Sequence, residues 1–196
     1  MPQPSESTRL MTLVSLQTPA FDLDIALAYA TEDNVTGQRI YARAEAQLHP
    51  DAAAALQRAI ALAAPLGLRL KIFDAFRPME AQWRLWESFP DPEFVADPSK
   101  GSCHSRGVAV DMTLVDAASG AELDMGTPFD DFTAASHHGR RDLPLEVQRN
   151  RFTLLGIMTA AGWDWIQSEW WHYQLFEPER YPLLADAAAP QGLMVA

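Results

Sequence analysis

SCHSRGVAVDMTLV, residues 102–115, changes character halfway along. Its first half is polar and holds a glycine. Its second half, VAVDMTLV (108–115), is rich in β-branched residues and reads as a strand. A carboxylate, Asp111, interrupts that apolar run, and His104 precedes it by seven positions. Gly107 between them lets the backbone turn so that the two side chains converge. This segment is the expected central strand, and the remaining elements are placed around it.

LRLKIF (68–73) alternates apolar and basic residues and reads as a half-buried strand. Before it, PDAAAALQRAIALAAPLG (50–67) reads as a helix, with Pro50 in the first turn, Leu56, Ile60 and Ala63 on one face, and Gly67 as the stop. After it, Pro78 opens a second helix, in which Met79, Trp83 and Trp86 form an expected core stripe before Pro90 ends it. LPLEVQRNRFTLLGIMTAAG (143–162) reads as a third helix, and WWHYQLF (170–176) as the last strand. Helices and strands interleave without a regular βαβ period, which predicts an α+β fold. The 196 residues suit a single domain, 1–196. Residues 1–20 read as a loosely held arm and 185–196 as a mobile tail.

A net charge of −11 and a pI near 4.7 argue against a nucleic-acid partner and against an anionic membrane surface. No stretch approaches the roughly 20 apolar residues of a membrane span. A single cysteine, Cys103, excludes an intramolecular disulfide and fits a reducing compartment. The first residues have no apolar core of a secretory signal. The expected location is the cytoplasm; oligomeric state is not legible here.

Among five histidines, His104 and His172 stand out. With Asp111 they make a plausible three-ligand set for one Zn²⁺. The same donors describe the facial triad of non-haem Fe(II) oxygenases, which need no carboxylate three residues before the last ligand. Such a carboxylate exists in SEWWHYQ (168–174): Glu169 precedes His172 by three. On a regular strand the two would point to opposite faces, so shared service requires a turn near Ser168–Trp170. Trp170 and Trp171 would supply dry walls that raise a carboxylate's pKa towards that of a general base. Taken alone, Glu169 reads first as a surface carboxylate at a strand end.

In DAFRP (74–78), Arg77 sits at a strand-to-helix junction and offers a charged fork to a developing oxyanion, or pairs with Asp74 as a helix cap. Cys103 adjoins His104, but adjacent extended residues point apart, which disfavours a thiol nucleophile with that base. His137 and His138, in SHHG (136–139), read as outer-shell residues or as loop.

These segments together resemble the zinc-dependent D-alanyl-D-alanine dipeptidases known from vancomycin resistance and bacterial D-amino-acid peptide metabolism. The matching stretches are YATEDNVTG (29–37), DAFRP, SCHSRGVAVDMTL (102–114), DMGTPFD (124–130), SHHG and SEWWHYQ, in the family's order. The resemblance implies that His104, Asp111 and His172 ligate zinc, that Glu169 is the catalytic base and that Arg77 polarises the scissile carbonyl. It implies a dipeptide pocket lined by Tyr29 and Ser102, to which Asp74, Trp170 and Trp171 are added as substrate-binding candidates. The implied fold is a small antiparallel sheet with packed helices, as in D-Ala-D-Ala carboxypeptidases and hedgehog-type domains. Cys103, Ala75, Phe76 and Val108 depart from the family pattern without touching a proposed ligand. Two rivals remain: a carboxypeptidase of the same fold that trims longer wall peptides, and a non-catalytic peptide-binding module.

Overall fold

The computed structural model describes residues 12–195. Two sheets and three α-helices form it. Strand β1 (Val14–Ser15) and β2 (Leu23–Ile25) come first, then β3 (Gln47–Leu48), helix α1 (Pro50–Ala63), β4 (Leu68–Asp74) and helix α2 (Met79–Ser88). Strand β5 (Ala109–Asp116), helix α3 (Leu145–Ala160), β6 (Asp164–Trp165) and β7 (His172–Gln174) complete the chain. The larger sheet runs β2-β4-β5-β7-β6, and β1 pairs with β3.

Central placement of β5 follows from its composition: Ala109 to Val115 are all buried, as expected for a strand covered on both faces. The expected antiparallel sheet holds for β4–β5–β7–β6, but edge strand β2 runs parallel to β4. A parallel neighbour needs a long crossover, and the segment holding β3 and α1 supplies it.

Local chemistry explains the ends of α1. Pro50 sits at the first helical position and His49 Nδ1 accepts the backbone N–H of Asp51. After one 3₁₀ turn, Gly67 takes a left-handed conformation, φ +70°, and turns the chain into β4. Ala52, Ala55, Leu56, Ala59 and Ala63 bury the face of α1 that packs on β4 and α3.

Three expectations change. Trp83 is 44% exposed, and α2 instead buries Ala81, Gln82 and Leu85. The helix is phased to aim Gln82 at the site below, so Trp83 leaves the expected stripe, while Trp86 is partly buried and packs against the core. The last strand is shorter than 170–176, because Trp170 and Trp171 lie in a turn. The arm and tail are docked as far as they are described. β1 pairs with β3 and buries Leu13 and Leu16 beside it. Near the other end, Leu193 is fully buried, its N–H held by Asp186 Oδ1 at 2.6 Å. Residues 1–11 and 196 lie outside the described residues.

Candidate active site

Sheet register brings the key side chains together. Asp111 on β5 is the cross-strand partner of His172 on β7, so both project from one face. On the other side Asp111 pairs with Asp74 after a register shift between Ile72 and Asp74, a bulge that re-aims the end of β4. His104 arrives from a 3₁₀ turn over His104–Arg106, which Gly107 ends at φ +68°. The chain then enters β5 directly.

The donor atoms converge. His104 Nε2 lies 3.2 Å from His172 Nδ1 and 3.3 Å from Asp111 Oδ2, and His172 Nδ1 lies 3.0 Å from Asp111 Oδ1. All three residues are buried. Each ring is oriented from behind: His104 Nδ1 donates to Ala75 O at 2.8 Å, and His172 Nε2 bonds Gln174 Oε1 at 3.0 Å. With those nitrogens protonated, the two inward nitrogens are bare lone pairs facing each other and a carboxylate. In that tautomer the arrangement is repulsive unless a cation, or a proton on His172 Nδ1 shared with Asp111, sits among them. The donor set therefore fits a divalent metal, with a backbone carbonyl and an amide as outer partners. Burial opposes charge on Asp111, but its contacts with His104 and His172 prevail and hold the carboxyl well below its usual range.

Glu169 lies in the turn expected between Ser168 and Trp170, and its Oε2 stands 4.0 Å from His172 Nδ1. It is only 5% exposed, which removes the surface-carboxylate alternative. Burial pushes its carboxyl up to about 8, with His172 pulling down and the negative Asp111 and Asp130 adding to the rise.

Arg77 is held on three sides. Its Nε donates to Asp74 Oδ2 at 2.7 Å, Nη1 to Gln82 Oε1 at 3.0 Å, and Nη2 to Asp111 Oδ2 at 3.4 Å. The guanidinium also lies 5.1 Å from the centroid of the Tyr29 ring. Five N–H groups minus three engaged leaves two for the cavity.

That cavity, about 190 Å³, is walled by Tyr29, Arg77, Ser102, Asp130, Phe132, Glu169 and Trp171 around the three donors. Of the expected pocket residues, Tyr29, Ser102 and Trp171 line it. Asp74 and Trp170 do not. Asp74 lies fully buried behind Arg77, also accepting from Tyr41 Oη at 3.0 Å. Trp170 points away to donate from Nε1 to Thr127 Oγ1 at 2.8 Å. Cys103 lines the cavity, but burial pushes its thiol up to about 11, and both His104 nitrogens are engaged elsewhere. A thiolate nucleophile is therefore disfavoured.

Asp130, Gln174 and Gln82 were not foreseen in these positions. Asp130 closes the DMGTPFD stretch, accepts from Tyr29 Oη at 2.9 Å and is pushed up to about 8, chiefly by burial and then by Asp111. Gln174 lies two residues beyond His172, so strand alternation placed it on the ligand's face. Gln82 carried no signal, being one of five polar residues in a ten-residue helix.

A family described as D-ala-D-ala dipeptidase matches residues 9–186. The chain is 47% identical to a D-alanyl-D-alanine dipeptidase of Escherichia coli over 93% of this chain and 92% of that one. It is 33% identical to one of Enterococcus faecium, covering 79% and 86%. A solved vancomycin-resistance D,D-pentapeptidase, a mutant in complex with Zn(II), aligns with a TM-score of 0.44 and 15% identity over 87% of this chain and 89% of that one.

Proposed function

From the premise that the chain belongs to the D-ala-D-ala dipeptidase family, we propose that it is a zinc peptidase hydrolysing free D-alanyl-D-alanine to two D-alanines. The observation that carries this reading is the convergence of His104 Nε2, His172 Nδ1 and the Asp111 carboxylate beside one buried acid and one anchored guanidinium. His104, Asp111 and His172 hold the ion. Zinc among two imidazoles and one carboxylate supplies Lewis acidity towards a carbonyl oxygen and towards water.

Glu169 Oε2 accepts a proton from the attacking water and passes it to the departing amine. Its burial disfavours the charged carboxylate, which suits a group that both takes and returns a proton. Arg77 turns its two unengaged N–H groups towards the carbonyl oxygen and stabilises the charge developing there. Because Asp74, Gln82 and Asp111 already fix the guanidinium, it does not reorganise during the reaction.

Two features favour a free dipeptide over a longer chain. A 190 Å³ cavity equals about six waters of liquid volume, small beside the roughly 300–1,000 Å³ of ordinary ligand pockets. Among the described residues Asp130 has only the Tyr29 hydroxyl as a side-chain partner, so it can take the free ammonium of a dipeptide. An acylated nitrogen would bring bulk and leave that carboxylate unpaired, a strong basis for rejection.

The test compares D-Ala-D-Ala with N-acetyl-D-Ala-D-Ala on the zinc-loaded protein, following D-alanine release. The free dipeptide should be cleaved at least about 10²-fold faster, since unpaired buried polar groups discriminate strongly. Equal rates would favour a carboxypeptidase instead.

A further inference from the structure

Arg151 is a buried cation on α3, 4% exposed, with no carboxylate among the described residues within ion-pair distance. It does not line the catalytic cavity. Its charge is directed at backbone: Nε donates to Met125 O at 2.7 Å, and Nη1 to Ala135 O at 3.0 Å and His137 O at 3.1 Å. A fold seldom buries an unpaired guanidinium merely to hold loop carbonyls, because the desolvation cost is several kcal/mol.

The alternate groups of the same segment explain the arrangement. While the carbonyls of residues 135 and 137 face Arg151, the carbonyl of Ser136 accepts the N–H of Trp170 at 3.1 Å. The N–H of His138 donates to Gln167 O at 2.9 Å, and Gln167 Nε2 donates back to His138 O at 2.7 Å. Residues 136–138 are thus zipped onto 167–170, the turn that carries Glu169. Side chains tie the same parts again. Ser136 Oγ lies 2.6 Å from Asp131 O and 3.0 Å from Thr127 Oγ1, and Thr127 Oγ1 accepts from Trp170 Nε1. The Arg151 guanidinium lies 5.9 Å from the centroid of the Trp170 ring, within cation–π reach.

We propose that Arg151 is a positioning residue: through the 135–137 backbone it rigidly sets the Glu169 turn, and hence where the acid stands relative to the metal ligands. This absorbs the SHHG and DMGTPFD stretches as one brace behind the reacting centre. A turn of six residues between β6 and β7 has no regular structure to fix it. A displacement of about 1 Å at such a group costs on the order of 10²-fold in rate. The inference rests on Glu169 being the base, as proposed above.

The experiment measures kcat, KM, zinc per chain and Tm for Arg151→Met, Arg151→Ala, Arg151→Lys, Thr127→Val and Glu169→Gln on D-Ala-D-Ala. Arg151→Met should lose about 10–100-fold in kcat per zinc-loaded protein with KM changed less than about 3-fold. Arg151→Lys, which cannot span three carbonyls, should fall between it and the parent. Added guanidinium ion at low millimolar concentration should restore part of the rate to Arg151→Ala and none to the parent. A purely stabilising role predicts lower Tm with an unchanged kcat per zinc, and that result would overturn the proposal. Should Arg151→Met fail to fold, Thr127→Val and Arg151→Lys decide, since an unchanged kcat in both refutes the brace. Glu169→Gln separates the two readings. If it stays fully active, the assignment of the base fails. If it is inactive while Arg151→Met keeps its kcat, only the brace fails.

Discussion

Replacing Gln174 with leucine should weaken metal binding specifically in the loaded state. His172 Nε2 has one partner, Gln174 Oε1 at 3.0 Å, while Nδ1 faces the ligand cluster. With a cation bound, the Nδ1 lone pair is committed, so the ring proton must sit on Nε2. In Gln174→Leu that buried N–H has no acceptor, which costs about 1–3 kcal/mol. Without metal the ring escapes the penalty by switching tautomer, since Nδ1–H can donate to Asp111 Oδ1 at 3.0 Å. The cost falls on the loaded form alone, so zinc affinity should drop about 10–100-fold, the range known for outer partners of ligating histidines. A zinc competition titration against a chromophoric chelator reads the affinity, and urea unfolding of the chelator-stripped protein reads the metal-free stability. An affinity unchanged within 2-fold, or an equal loss in metal-free stability, would refute the tautomer argument.

Gln82→Met removes both the acceptor for Arg77 Nη1 and the donor to Ala96 O, 2.7 Å away. It should lower kcat/KM by about 10-fold or more, at unchanged zinc content, because hydrogen bonds to a charged group contribute roughly 1.5–3 kcal/mol. Gly107→Ala must hold φ +68° with its new methyl 3.1 Å from the His49 nitrogen and from a Leu13 methyl, so urea denaturation should show a loss of about 1–3 kcal/mol. Gly67→Ala, equally left-handed at φ +70° but facing open space, should cost only about 1 kcal/mol. Burial, and then the Arg151 cation, push the His138 imidazole down to about 4 from its ordinary 6.5. Between those values the unfolded chain binds more protons, so stability should fall as pH drops from 6.5 to 4, by about 3 kcal/mol. His138→Phe should flatten that slope in urea melts at pH 7 and 4.5.

Much of the site was legible because ligand chemistry demands particular residue types at element boundaries. Asp111 within β5 and His172 on the last strand are anomalies in apolar runs, and His104 stands in the polar turn just before β5. The need for a turn between Glu169 and His172 was equally legible, since a regular strand sends them to opposite faces. Asp74 and Trp170 were read as pocket residues because proximity along the chain was the only guide to them. They turned out to stand behind the wall, one anchoring Arg77 and one docking on Thr127.

The chain itself, through its β-branched run and helix stops, determined the elements and the α+β class, and its resemblance to a known family singled out the donor set. Those depend on local backbone preference and on elementary coordination chemistry. Only the tertiary structure decided that Asp111 faces His172 in register, that α2 turns Gln82 inward and Trp83 outward, and that Arg151 reaches the carbonyls of residues 135 and 137. Each of these is a pairing between distant segments, settled by which surfaces bury together, and neither periodicity nor spacing encodes that.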